Sequence, residues 1–134
     1  MRSLSIMIAA TALASCTTSS QQADYDQRAE ARLAQALAGK VAGRPIDCLP
    51  TYRSGDLVRI DDNTALFRDG PNRVYRNELH GFCNGLGDQT NTLVTTSHSG
   101  RLCRGDIARV VDLQSGMTVG SCVIGDFVPY TKAG

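Results

Sequence analysis

The sequence predicts a mainly β domain: a small antiparallel barrel or sandwich of about six or seven short strands behind one N-terminal helix, stapled by disulfides. Three observations carry this expectation. The hydrophobic period falls from about 3.6 to about 2 residues beyond Arg44. The runs that follow are short, rich in β-branched residues, and separated by sets of aspartate, asparagine, glycine and proline that favour turns. Finally, Cys48, Cys83, Cys103 and Cys122 are spread through a domain of roughly 90 residues without tryptophan, a size at which an apolar core alone is marginal.

Residues 1–15 are expected to be a signal peptide. Arg2 supplies a minimal positive region, and the apolar run from Leu4 to Leu13, interrupted by Ser5 and Thr11, is too short to span a bilayer. Its end, Leu13-Ala14-Ser15-Cys16, resembles the lipobox of bacterial lipoproteins, in which small residues precede a cysteine that is acylated and becomes the new N-terminus. The rival is Ala12-Leu13-Ala14, an A-x-A site for ordinary signal peptidase. Cleavage there leaves Cys16 as an orphan thiol in an oxidising compartment, so lipidation is the preferred reading of an odd count of five cysteines. Residues 16–23, "CTTSSQQA", read as a lipidated flexible tether. Thr17 rather than aspartate after Cys16 resembles lipoproteins passed on to the outer membrane. The expected address is therefore the bacterial cell envelope, anchored to the membrane by lipid and facing the periplasm.

Residues 24–40 predict a helix of about four turns: Tyr25, Ala29, Leu33 and Leu37 recur at i, i+4 spacing, with Asp24 placed to cap the start and Gly39 to end it. The stripe is narrow and mostly alanine. Residues 44–130 form the β-domain. Val58 and Ile60, then Ala65 and Phe67, then Val74 alternate with outward residues across the turn sets Asp61-Asp62-Asn63 and Asp69-Gly70-Pro71-Asn72, a three-strand meander. Residues 80–88, with three glycines and Cys83, read as a loop. "TLVTTS" at Thr92 to Ser97 is the next strand; "DIARVVDL" and "MTVGSCVI" are two more, joined through Gln114-Ser115-Gly116. A short strand at Phe127 and Val128 precedes Pro129.

Charge narrows the function classes. The net charge is +1, and arginines are interleaved with carboxylates from Arg44 onward, so no one-signed footprint for nucleic acid exists. No metal or cofactor site is expected: there is no C-x-x-C, and His80 and His98 lack a paired ligand spacing. A nucleophile can be drawn at Cys83 beside His80, or at Ser97 or Ser99 beside His98, with Asp88 or Asp106 as orienter, yet nothing in the spacing requires one. Arg104-Gly105-Asp106 reads as an ordinary turn. With Cys16 committed to lipid, the other four cysteines allow three disulfide connectivities. Cys83 with Cys103 and Cys48 with Cys122 is the preferred set, since the first brackets the Thr92 hairpin and the second ties the domain's start to its last long strand.

The stretches "RPIDC", "DDNTALFRDG", "RVYRNEL", "CNGLG", "LCRGDIARVVD" and "GSCVIGDF" together resemble an uncharacterised family of small exported proteobacterial proteins, over about Arg44 to Tyr130. Asn84 departs from the proline expected after that cysteine. The resemblance implies an exported domain framed by the four cysteines and transfers no activity. The expected function is a non-catalytic binding or structural module with an envelope protein or glycan as partner. One alternative is an inhibitor of host lysozyme-type hydrolases, which the chain resembles in size and build without their loop motifs; another is a small periplasmic hydrolase using His80 or His98.

Overall fold

The computed structural model describes residues 17–51 and 56–133. The expected signal peptide, residues 1–15, and Cys16 lie outside the described residues. The architecture is mainly β, as predicted: two antiparallel sheets face one another, and a helix lies on the outer side of one.

Helix α1 runs Thr17–Leu37, so it begins seven residues before the expected Asp24 and takes in Thr17–Ala23 of the expected tether. Neither glycine nor proline interrupts this stretch, and Gln22 donates to Asp26 at 2.9 Å one turn on, so a polar sequence continues the helix without packing. Asp24 is an interior residue paired with Arg28 at 3.7 Å. The end is where the sequence placed it: Gly39 adopts a φ of 70°, and the Lys40 ammonium donates to the Ala36 carbonyl at 3.2 Å.

The first sheet has the order β1-β9-β4-β3-β2, from β1 (Lys40–Ala42), β9 (Phe127–Lys132), β4 (Arg73–Glu78), β3 (Thr64–Asp69) and β2 (Leu57–Arg59). The second has the order β5-β8-β7-β6, from β5 (His80–Phe82), β8 (Thr118–Val123), β7 (Ile107–Asp112) and β6 (Asn91–Thr96). Alternation along β3 and β4 splits the core in two. Ala65, Phe67 and Tyr75 point between the sheets, where Phe67 meets Phe127 edge to face at 5.6 Å. Leu66 and Val74 point outward and meet Ala29 and Leu33 of α1.

Two differences from the sequence reading shape the site. His80–Phe82 is a strand, not a loop, because the chain leaves β4, turns through buried Leu79 and pairs at once with β8 in the other sheet. The last strand also runs on through Pro129 to Lys132. Pro129 is tolerated because its carbonyl, bonded by the Gly43 N–H at 2.7 Å, shows that its missing donor faces the side where β1 ends at Ala42.

The cysteines pair, but not as expected: Cys48 lies at disulfide distance from Cys103 (Cα–Cα 3.9 Å) and Cys83 from Cys122 (Cα–Cα 5.1 Å). The segment around Cys48 runs against that around Cys103, with Leu49 N–H bonding the Leu102 carbonyl at 2.9 Å and Arg104 N–H the Asp47 carbonyl at 2.6 Å. Cys83 follows directly on β5, whose pairing with β8 sets it beside Cys122. Reading β5 as a loop concealed that neighbour.

Candidate functional site

The chain crosses between the sheets twice at one corner, through Leu79 on the way out and Ile124 to Asp126 on the way back. Asn77 fastens the returning crossing to β4. Fully buried on β4, it donates from Nδ2 to the carbonyls of Gly125, at 2.8 Å, and Asp126, at 3.2 Å, and its Oδ1 accepts the Gly125 N–H at 2.9 Å. Gly125 is required by the close approach: a Cβ there would strike the Glu78 carbonyl oxygen and come within 3.0 Å of His80 Nε2.

Above this corner the outer face of the first sheet is left open beside α1. A cleft of about 320 Å³ lies there, lined by Pro45, Arg76, Glu78, His80, Asp126, Val128 and Tyr130. Strand register explains the set. Val74, Arg76 and Glu78 alternate outward on β4; Val128 and Tyr130 stand opposite Arg76 and Val74 on β9. Arg76 Nη2 bonds Glu78 Oε1 at 3.0 Å, while Arg76 Nε is buried without a partner. Asp126 is held at the rim by Arg104, whose Nη1 lies 2.9 Å away and whose Nη2 reaches Asp47 at 3.6 Å.

Along α1, a second junction fixes the helix to the sandwich. The Tyr25 hydroxyl donates to Asp62 Oδ1 at 3.4 Å, and the same oxygen accepts the Gly87 N–H at 3.0 Å. A Cβ at Gly87 would collide with that hydroxyl, so glycine leaves room for the ring. Burial, then the carboxylates of Asp62 and Asp61, raise the Tyr25 phenol above its ordinary value, against a smaller opposing effect of Arg32. Arg32 also donates to the Ile60 carbonyl at 2.7 Å.

The residues singled out in the sequence separate. His80 enters the cleft, beside Glu78 and Asp126. Cys83 is turned into the core against Cys122 and has no place in the cleft. His98 lies in the connection between β6 and β7, where Ser97 and Ser99 donate to the Arg101 carbonyl. The carboxylates drawn as orienters are held by their own turns. Asp88 accepts the Thr90 N–H at 3.1 Å and hydroxyl at 3.0 Å, which hold its carboxyl below the usual range. Asp106 accepts the Cys103 N–H at 2.8 Å. No group of three or more metal-ligating side chains occurs among the described residues. Sequence reasoning missed Arg76, Asn77, Gly125, Asp126 and Tyr130. The alternation Arg76-x-Glu78-x-His80 was the available sign, hidden because His80 was placed in a loop.

No curated protein and no solved structure matches this chain. A family profile does, over residues 1–133, and the chain therefore belongs to DUF6491, a family of unknown function.

Proposed function

We propose that the protein is a lipid-anchored envelope protein, acylated at Cys16 after loss of residues 1–15, whose β-sandwich binds a partner in the periplasm through the cleft over β4 and β9. The cleft itself is the observation that carries the reading: an open, half-apolar groove with convergent polar groups, set on strands and locked from beneath by Asn77. Oxidised Cys48–Cys103 and Cys83–Cys122 pairs fit the same compartment. A photo-cross-linking residue at Val128, in the full chain expressed in a Gram-negative host, is expected to trap an envelope component. The same residue at exposed Ser121 is not. Equal trapping at both positions, or none at Val128, contradicts the reading.

A second reading rests on His80, which shares the cleft with Glu78 and Asp126 and so has the groups for acid–base hydrolysis at hand. Turnover of a trapped component that His80→Ala abolishes without weakening binding would favour it over the binding module.

A further inference from the structure

The charged groups of the cleft are already engaged with one another. Arg76 holds Glu78, and Arg104 holds both Asp126 and Asp47. An anionic ligand has to break one of these contacts to gain a cationic partner, and a cationic ligand competes with Arg76 or Arg104 for the carboxylates, whereas a neutral ligand meets the same groups as donors and acceptors already oriented. Part of the lining is of another kind: Val128, Tyr130 and Pro45 bring apolar surface to the same cleft. Planar guanidinium and carboxylate groups around an aromatic surface suit a ring with two C–H faces and an edge of hydroxyls. At about 320 Å³ the cleft is at the small end of ligand sites, and it is open rather than enclosed, which suits one unit of a longer chain.

The outer face of the second sheet offers a contrast. Phe82, Val94, Ile107 and Val119 are exposed there.

We propose that the cleft receives a neutral sugar ring of a glycan chain, with Tyr130 stacking against the ring and Glu78, Asp126 and Arg76 bonding its hydroxyls. This rests on the reading of the protein as a binding module and names the class of its ligand. The unpartnered Arg76 Nε belongs to the same guanidinium, held in place by Glu78.

Calorimetric titration of the detergent-solubilised full chain with a β-1,4-linked N-acetylglucosamine tetramer tests the proposal. Saturable binding is expected, weakened about tenfold by Tyr130→Ala and retained by Tyr130→Phe, because the ring and not the hydroxyl stacks. Glu78→Gln is the second variant: Glu78 is exposed, so the fold tolerates the change, and loss of the charged acceptor weakens binding about threefold or more. Affinity should change little with added salt, since no net charge is matched. Absence of binding by the unaltered chain overturns the sugar proposal, as does binding indifferent to Tyr130→Ala. If the tetramer fails while Val128 still cross-links a protein in cells, the sugar assignment falls and the binding module stands. If both fail, both fall.

Discussion

Asn77 supplies three hydrogen bonds to the returning sheet crossing, at Gly125 and Asp126, from a position with no access to water. Asn77→Ala leaves the Gly125 carbonyl and N–H without this partner in the interior and removes the part-buried bond to the Asp126 carbonyl, and stability is expected to fall by about 3 kcal/mol, read as a lower urea midpoint. Tyr25 is the other residue with a measurable signature. Its folded phenol titrates above the ordinary value of about 10, so its contribution is intact below that pH and is lost as pH rises through the folded value. The difference in absorbance near 295 nm between the unaltered chain and Tyr25→Phe should therefore titrate above the ordinary phenol value of about 10. A midpoint at the ordinary value would show that burial and the carboxylates of Asp62 and Asp61 do not oppose the phenolate. Neither role was legible beforehand. Asn77 reads in sequence as one more polar strand residue, and its partners lie 48 and 49 positions away.

At the scale of elements, α1 is held by a narrow line of contacts: Tyr25, Ala29, Arg32, Leu33, Ala36 and Leu37 are turned toward the sandwich, and the other helix side chains from Ser19 onward are exposed. A helix so attached opens without unfolding the sandwich beneath it. Its amides are expected to exchange with deuterium faster than those of β3 and β4, and Leu33→Asp should abolish protection in α1 while leaving both strands protected. Simultaneous loss in helix and strands would show one cooperative unit. The helix stripe, the β3–β4 hairpin and the β7–β8 hairpin were readable because each depends on local periodicity and local turn residues. By contrast, β1, β5 and the end of β9 were not. Their sequences, KVA, HGF and PYTK, are short or contain glycine or proline, and they become strands only because a distant partner supplies the ladder. The missed β5 also hid the cleft, since His80 reaches it only from that strand's start.

For the whole molecule, the two cysteine pairs tie the sandwich at places its ladders leave weak. One joins the linker before β2 to the segment before β7; the other binds short β5 to β8. With sequence separations of 55 and 39, each closed loop is expected to contribute about 3 to 4 kcal/mol. A non-reducing peptide map should show Cys48 linked to Cys103 and Cys83 to Cys122; a Cys83–Cys103 peptide would instead restore the pairing the sequence suggested. The number of staples was legible from composition, but the connectivity depended on which strands adjoin. The proposed division of labour among five cysteines, one anchoring and four stapling, is tested most directly by the intact mass of the membrane-extracted protein before and after reduction. The account predicts a chain beginning at Cys16, heavier by its acyl groups, that gains four hydrogens on reduction. An unacylated chain, or one that gains no hydrogens on reduction, would contradict it.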